Sequence, residues 1–435
     1  MRYATRALDT VLAPPYDVIS PAERERLARD PANIVHLELP VDENGPDTRY
    51  DAAARRLARW LEDGVLATEA APALYPYAQR FAHRGARFER RGVFGLVELG
   101  PPGPASRIYP HEFTLSGPRE DRRRLLAATH ANLSPIFLLY DDADGGVRRA
   151  LAGAWDRAVG SAHTPWGTEE TLGRLEGDAA RAAAEALSNK DLVFADGHHR
   201  YESALAYADA VGAGPGDPRR YVLAVLVERS DPGLLVLATH RVIPAGRAHA
   251  GAEWDRLLTE VFESSDLGAG EDAAEAAEAW LARAPDDRPA LVTARGPRAA
   301  LTGLLARPGA VDRLFASTDS PAPAMRALDV VALHALLERG WGLTPETVRD
   351  RAALTYTRDA REAVRAVAGG AEAAFLVRPT PVERVIRLAV AGHRLPQKTT
   401  YFEPKMTSGW LVHVHDREGL AARAAAGADS TGERR

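Results

Sequence analysis

The chain has 435 residues, of which 46% are hydrophobic and 26% charged, and its formal net charge is -5. A chain of this length can bury a core large enough for two or three domains. The absence of cysteine excludes disulfide bonds, thiolate catalysis and cysteine-based metal sites. The acidic charge balance gives no sign of the basic surface that a nucleic-acid-binding protein needs.

The N-terminal region shows no targeting signal. Its first residues, MRYATRALDTVLAPPYDVIS, hold neither an apolar segment nor a small-residue cleavage pattern. No apolar stretch approaches the ~20 residues that span a bilayer. We therefore expect a cytoplasmic protein with no membrane partner and no nucleic-acid partner, and the oligomeric state stays open.

Helices and strands alternate through the first part of the chain. Ser20 and Pro21 form the N-cap and first position of a predicted helix. The segment NIVHLELP follows as a strand candidate, and apolar residues on one face predict a helix over 48–64. The next predicted elements are a strand at 90–99, a helix at 118–129 and a strand at 134–142.

The middle of the chain predicts a strand, a tight turn and a helix in succession. An alanine-rich helix at 178–187 leads into the apolar run Leu192 to Phe194. The turn Asp196-Gly197 comes next, and a helical pattern begins at His198. This order resembles the strand-turn-helix units that hold phosphates.

A hairpin is predicted after this helix, with YVLAVLVERS and GLLVLATHRVI joined through Asp231-Pro232-Gly233. A helix, WDRLLTEVFE, and two strands, PALVTA and AALTGLL, follow a segment rich in proline and glycine. The pattern predicts a mixed α/β fold. We expect an N-terminal α/β domain over 1–245, a C-terminal α/β region over 246–415 and a flexible tail over 416–435.

The segment Asp196-Gly197-His198-His199-Arg200 carries the strongest chemical signal. Glycine permits a sharp turn, and the N-terminus of the following helix favours an anion such as phosphate. Arg200 can bind a phosphate through two hydrogen bonds, either histidine can donate one, and Asp196 can hold Mg²⁺ with Glu202 nearby. Two alternatives stay open: polar residues that only cap a helix, and a bare metal site of Asp196, His198 and Glu202.

Two other polar segments are candidates for the same chemistry. The loop KTTYFEPK offers Lys398 and Lys405, which can neutralise phosphate charge, although solvated loop lysines are the alternative. His111 and Glu112 precede the helix predicted at 118–129, and a carboxylate in reach of a hydroxyl can accept its proton. The alternative for Glu112 is an ion pair with an arginine of that helix.

Five ordered segments resemble one bacterial and archaeal family, domain of unknown function 1015. The resemblance runs from about Ala13 to Val412. The five segments are APPYDVIS, IYPHEFTLSGPREDRRRLLAATHANLSPIF, VFADGHHRYESALAYAD, ATHRVI and LPQKTTYFEPKMTSGWLV.

The glycine turn is in addition similar to the phosphate loop of the ParB/sulfiredoxin superfamily, in which a G-x-x-R helix start binds nucleotide phosphates. That superfamily includes free-serine kinases with a D-G-H-H-R turn. The resemblance implies a ParB/sulfiredoxin-like nucleotide-binding core and a nucleotide site at Asp196 to Arg200. In those kinases a glutamate just ahead of a helix is the general base, and Glu112 has a similar setting.

We therefore predict a nucleotide-dependent phosphotransferase that uses ATP or ADP with Mg²⁺ on a small hydroxylated metabolite, with free serine as a candidate. The alternatives are a ParB-like nucleotide-binding regulatory protein and a metal-dependent hydrolase or nuclease. Asn132, Ser134, His240 and Arg241 are secondary candidates. The assigned residues are Glu112, Asp196, His198 and His199 for catalysis; Gly197, His198, His199, Arg200, Lys398 and Lys405 for the cofactor; His111, Arg119, Arg122 and Tyr401 for the substrate; and Asp196 and Glu202 for the metal.

Overall fold

The computed structural model describes residues 1–4, 8–42, 45, 48–113, 116–156, 158–315, 321–348 and 353–432, apart from the side chains of 116–118 and 426–432. Helices and strands alternate through these residues, which confirms the mixed α/β class. The chain divides into two compact units. Unit 1 consists of Met1–Pro110, Thr114–Leu235 and Pro404–Arg435, and unit 2 of His111–Phe113 and Val236–Glu403.

These units differ from the division expected from the sequence. The chain enters unit 2 at Val236, ahead of the boundary expected after residue 245, and it returns to unit 1 at Pro404. The strand His240–Ile243 hydrogen-bonds to strands of unit 2, so the chain passes from unit 1 to unit 2 before this strand. The KTTYFEPK segment is divided, so that Lys398 belongs to unit 2 and Lys405 to unit 1.

Unit 1 is built on a large mixed sheet. Its central strands are apolar on both faces, as a sheet covered by helices requires. In spatial order the strands of the main path are Ile108–Tyr109, Leu192–Asp196, Ile136–Tyr140, Tyr221–Glu228, Ala86–Glu98, Ala73–His83, Glu169–Gly173 and Ala158–His163, with Leu175–Glu176 paired to Ala73–His83. Two short ribbons pair Arg2–Tyr3 with Leu66–Ala67 and Ala131–Asn132 with His413–Val414.

Helices of unit 1 pack their apolar faces on this sheet. Tyr201, Ala204 and Tyr207 lie on one side of a helix and join Ile136 and Phe194 in a single buried cluster. The helix spacing of about 3.6 residues per turn puts these side chains on one face. The helices are Pro21–Leu27, Val35–Glu38, Arg49–Glu62, Ser116–Thr129, Gly146–Ala150, Gly177–Ser188, His198–Ala210 and Arg417–Gly432.

Unit 2 is an antiparallel sheet with helices on both faces. Alternate residues of the strand Ala373–Val377 enter two different cores, with Phe375 in one and Ala374 and Leu376 in the other. In spatial order its strands are Phe262–Ala269, Ala300–Ala306, Ala290–Arg295, Ala373–Val377, His240–Ile243 and Thr355–Thr357. Its helices are Ala252–Val261, Ala274–Arg283, Pro323–Arg326, Asp329–Trp341, Pro345–Val348, Ala360–Ala368 and Val382–Val390.

The strand predicted for NIVHLELP is wrong, because a short helix, Val35–Glu38, occupies this segment. Buried Asn33 causes the difference. Its side-chain oxygen accepts a hydrogen bond from the Val35 amide at 2.9 Å, and its amide nitrogen donates to the carbonyls of Thr10 and Leu12 at 2.6 and 2.9 Å. These bonds hold the chain in a turn where an extended strand was expected.

The predicted hairpin after Tyr221–Glu228 is wrong as well. This strand is hydrogen-bonded on one side to Ala86–Glu98 and on the other to Ile136–Tyr140, so neither edge is left for the following segment. The segment instead forms Leu235–Leu237, which pairs with Tyr401–Glu403 in a separate ribbon.

Most of the tail expected to be loose over 416–435 forms the helix Arg417–Gly432, and residues 433–435 lie outside the described part of the chain. Its alanine content favours a helix, Leu420 is buried, and Arg423 forms a 2.8 Å ion pair with Asp51. Within the described part of the chain, no helix has both the length and the apolar character to cross a bilayer.

Candidate functional site

The predicted strand, turn and helix are confirmed in unit 1. The strand Leu192–Asp196 runs antiparallel to Ile136–Tyr140, with an irregular register between Phe194 and Asp196. Gly197 follows with φ +91°, and the helix His198–Ala210 begins at the next residue. Such an irregularity bends the strand end and re-aims the side chain of Asp196 at the turn.

Two independent constraints select glycine at position 197. Its positive φ is a conformation that other residues adopt only with strain. A Cβ atom there would also lie 2.9 Å from Cγ2 and 3.1 Å from Cα of Ile136. The turn is therefore packed closely against the neighbouring strand, and the helix N-terminus is held in a fixed place.

Two positively charged side chains lie close to the carboxylate of Asp196 at this turn. Its Oδ1 accepts a hydrogen bond from the Gly197 amide at 2.6 Å. Its Oδ2 lies 2.7 Å from Nζ of Lys405, and Nη2 of Arg200 lies 3.8 Å from Oδ1. Two cations around one carboxylate leave the turn with an excess of positive charge, to which the helix N-terminus adds.

Arg200 has internal partners in addition to any external anion. One of its nitrogens donates to the backbone carbonyl of Pro135, and its side chain is only 11% exposed. Pro135 directly precedes the strand that packs on Gly197. Arg200 therefore helps to hold the turn, so its loss would affect the fold as well as a bound ligand.

The two histidines of the turn occupy different settings. The ring of His198 stacks on Phe194, with 4.6 Å between ring centroids and 23° between planes. His199 is partly exposed in the first turn of the helix. The aromatic contact orients the ring of His198.

A small cavity of about 40 Å³ lies beside the turn. Arg122 is one of its walls and donates to the Glu38 carbonyl at 2.9 Å and to its carboxylate at 3.3 Å. The secondary candidates Asn132 and Ser134 also line this cavity, as does Arg200. The structure thus brings Arg122 and Arg200 to one small cavity.

Tyr16 belongs to this site, although the sequence reasoning did not single it out. The guanidinium of Arg122 lies 4.1 Å from the centre of its ring. Burial raises the pKa of Tyr16 to about 12, while the charges of Arg200 and Arg122 act in the opposite direction. The hydroxyl is therefore a neutral donor near physiological pH. Its place within the APPYDVIS segment was the available signal.

Arg119 and Glu202 face each other in unit 1, with 3.7 Å between Nη1 and Oε2. Ser203 donates a 2.8 Å hydrogen bond to the Arg119 carbonyl and so ties the two helices together. Glu202 and Arg119 were assigned to the metal and the substrate respectively, and both roles stay predictions.

Glu112 lies in unit 2 and is bound by a loop of that unit. Its carboxylate accepts hydrogen bonds from the amides of Lys398 and Thr400 at 3.1 and 3.0 Å. Buried His111 contacts Thr400 Oγ1 at 2.8 Å and Glu112 Oε1 at 3.2 Å. The general-base role of Glu112 and its alternative, an ion pair with Arg119 or Arg122, both stay predictions.

The other predicted residues of this loop in unit 2 are Lys398 and Tyr401. Lys398 is exposed and has φ +56°. The guanidinium of Arg358 lies 4.4 Å from the centre of the Tyr401 ring. Buried Arg241 donates hydrogen bonds to the carbonyls of Gln397 and Lys398 at 3.2 and 3.0 Å, and these bonds hold the loop backbone in place.

A buried carboxylate network in unit 1 holds the segment that carries Lys405. Glu170, 1% exposed, accepts hydrogen bonds from Tyr77, Gln79, Thr407 and Trp410, with distances between 2.6 and 2.9 Å. Burial and the charge of Glu170 raise the pKa of Tyr77 well above its usual range, so this phenol remains a donor.

The same network reaches the backbone on either side of the lysine. Gln79 donates to the Lys405 carbonyl at 3.2 Å, and Arg90 donates to the Pro404 carbonyl and to Gln79. Sequence reasoning missed Glu170, Gln79 and Arg90. Strand alternation was the available signal, because Gln79 shares a face with buried Tyr77.

The carboxylate of Asp196 does not fit a resident Mg²⁺. Both of its oxygens already face donors, the Gly197 amide and the Lys405 ammonium, whereas Mg²⁺ requires near-octahedral oxygen ligands. No group of three or more His, Asp or Glu residues suited to a metal occurs among the residues with described positions. The metal role of Asp196 and Glu202 stays a prediction.

The chain resembles several solved structures at low identity. A conserved hypothetical protein from Pyrococcus furiosus is 14% identical, with a TM-score of 0.35 over 72% of this chain and 92% of that chain. A free serine kinase in complex with AMP is 14% identical, with a TM-score of 0.36 over 71% and 86%. SbnI with a C-terminal truncation, from Staphylococcus aureus, is 11% identical, with a TM-score of 0.36 over 78% and 97%.

With TM-scores in this range, the ParB/sulfiredoxin-like core stays a prediction. No curated protein matches the sequence. One family model matches residues 1–331, which include His111, Glu112 and the glycine turn. The chain therefore belongs to the family described as Protein of unknown function (DUF1015).

Proposed function

We propose that the turn at Asp196 to Arg200 binds the phosphates of ATP or ADP, and that the protein transfers a phosphoryl group to a small hydroxylated metabolite. The observation that carries the proposal is the meeting of Lys405 and Arg200 at Asp196, ahead of a helix N-terminus. Free serine is the first substrate to test, because the D-G-H-H-R turn resembles that of free-serine kinases.

Charge at the turn favours an anion over a neutral ligand. Lys405 and Arg200 share the carboxylate of Asp196, so these three side chains together carry a net positive charge. The partial positive charge of the helix N-terminus acts in the same direction. A phosphate that approaches the turn meets this field in a partly buried setting, where salt screens less than at an open surface.

Rigidity at the turn favours a site formed in advance of binding. Gly197 is packed against Ile136, and Arg200 is tied to Pro135. The Glu170 network fixes the backbone of Lys405 through Gln79. Donors that are already in place lose little freedom when an anion binds, which raises affinity and helps to stabilise charge that develops in a transition state.

Thermal unfolding with a panel of ligands tests the first half of the proposal. ATP or ADP with Mg²⁺ should stabilise the protein by about 2.7 kcal/mol at a hundred times the dissociation constant. Adenosine, which has no phosphate, is the matched control and should give a much smaller shift. A panel in which no nucleotide stabilises the protein would remove the nucleotide from the proposal.

Phosphoryl transfer tests the second half. The protein is incubated with ATP or ADP, Mg²⁺ and one small alcohol at a time, serine first, and ³¹P NMR follows any new phosphate ester. A phosphomonoester that forms only with protein and alcohol present supports the phosphotransferase. Nucleotide binding without transfer to any alcohol would favour the regulatory alternative, since that function needs binding alone.

A further inference from the structure

A cavity of about 610 Å³ lies within unit 2. Its volume falls in the range of small-molecule binding sites, which is roughly 300–1,000 Å³. Many of the residues around it belong to the hydrophobic core of the unit, so the cavity is an indentation of that core. The apolar lining includes Leu314, Phe315, Met325, Val331, Leu343 and Val348.

One wall of the cavity is held in place by hydrogen bonds. Pro396 and Gln397 line it, and the adjacent amides of Lys398 and Thr400 donate to the carboxylate of Glu112. Phe113 also lines the cavity and is 53% exposed. A large aromatic side chain left exposed at such a wall is a typical contact for an apolar ligand.

His334 also lines the cavity. It lies on the helix Asp329–Trp341, and its Nε2 is buried without a hydrogen-bond partner. Burial, assisted by the charge of Arg241, lowers the pKa of His334 to about 3, so the imidazole is neutral near pH 7. Buried polar atoms in native proteins are nearly always hydrogen-bonded, so Nε2 calls for a partner that the protein itself does not supply.

Arg394 gives the cavity a charge preference. In the part of the chain that the structure describes, its side chain forms no ion pair or hydrogen bond, although the residue is partly buried. Arg339, the other arginine of the lining, is already paired with Glu253 and the Arg313 carbonyl. Glu338 also lines the cavity, but it is exposed, so solvent screens its charge.

We propose that unit 2 binds a small amphipathic carboxylate in this cavity. The apolar body lies against Leu314, Met325 and Val331, and the carboxylate pairs with Arg394. The ring of His334 forms part of the wall beside the ligand. This site is independent of nucleotide binding by unit 1, so either proposal can fail without the other.

Isothermal titration calorimetry of the full chain with sodium octanoate tests the proposal. 1-Octanol has the same chain without the charge and is the matched ligand. Octanoate should bind at least tenfold more tightly than 1-octanol. Octanoate that gives no saturable binding heat below its micelle concentration would overturn the proposal.

Three variants locate the site. Arg394→Gln should weaken octanoate at least tenfold and leave 1-octanol unchanged, whereas Arg387→Gln, at an exposed arginine of the helix Val382–Val390, should change neither. Ala335→Leu adds side-chain volume inside the cavity and should abolish both binding events. Octanoate affinity that survives Ala335→Leu would place binding elsewhere, and circular dichroism confirms that each variant is folded.

Discussion

Lys405 and Asp196 lie 209 residues apart in the chain and form an ion pair of 2.7 Å at the start of the helix His198–Ala210. Their side chains are 13% and 20% exposed, so salt screens this pair less than an open surface pair. The pair joins the C-terminal segment of unit 1 to the glycine turn. It also fixes the position of an ammonium group at the turn for which we propose phosphate binding.

Lys405→Met should weaken ATP or ADP binding at least tenfold, which corresponds to about 1.4 kcal/mol. The substitution keeps the length of the side chain and removes its charge. Lys190→Met is the matched control, because Lys190 pairs with Asp142 and Asp144 and takes no part in the turn. Calorimetric titration of both variants checks the prediction, and equal affinities would show that Lys405 does not contact the nucleotide.

Glu170→Gln should lower the free energy of unfolding by about 2–4 kcal/mol and weaken nucleotide binding. An amide in place of the carboxylate turns an NH₂ group toward several donors and leaves some of them without acceptors. Glu169→Gln is the control, since Glu169 is the exposed neighbour on the same strand. Urea unfolding gives the stability of each variant. Reduced stability with unchanged nucleotide affinity at full folding would show that the network does not position Lys405.

Local pattern was sufficient where a segment decides its own structure. The alanine-rich helix predicted at 178–187 is Gly177–Ser188, and the apolar run from Leu192 begins the strand Leu192–Asp196. The glycine turn was predictable for the same reason, because positive φ at Gly197 is a local demand. Apolar periodicity and positive φ both depend on residues that are close together in the sequence.

Contacts between segments that are far apart in the sequence could not be predicted from local sequence patterns. The strand Tyr221–Glu228 was predicted, but its neighbours come from distant segments, and this left no edge for the expected hairpin. The Glu170 network was missed because its members come from distant segments: sheet register pairs Gln79 with Glu170, and Thr407 and Trp410 belong to the C-terminal segment. Lys405 was a candidate through its loop, yet its partner Asp196 follows from the tertiary structure alone.

Gly197→Ala should destabilise the protein by about 1–3 kcal/mol or more and abolish nucleotide binding. The added methyl group meets Ile136 and forces a positive φ on alanine. Gly212→Ala is the control, because Gly212 has φ +66° and no atom lies within 4 Å of the point that an added Cβ would occupy. It should cost less and leave binding intact. Equal losses in the two variants would show that backbone strain, and not the contact with Ile136, sets the cost.

His334 should make unit 2 less stable in acid. The pKa of His334 is lowered to about 3 in the folded protein, below its ordinary value near 6.5, so the unfolded chain binds the proton more readily. The stabilisation is therefore present above about pH 6.5 and is lost as the pH falls toward 3. His334→Leu removes this titration, and urea midpoints from pH 7 to pH 4 should fall less steeply in the variant. Parallel profiles would show that the imidazole titrates normally when folded.

Glu112→Gln should lower turnover by roughly 10²-fold or more and keep nucleotide affinity within a few-fold, if the glutamate acts as the general base that its resemblance implies. Glutamine retains an oxygen that can accept from the Lys398 or Thr400 amide, whereas alanine would leave both without this acceptor. Glutamine is therefore the substitution that separates proton transfer from loop structure.

Glu120→Gln, at an exposed position of the helix Ser116–Thr129, is the matched control. Turnover is measured as phosphoryl transfer to the alcohol found active, and nucleotide binding is measured separately on the same variant. Unchanged turnover would remove Glu112 from the mechanism and direct the search for a base to Asp196 or Glu202.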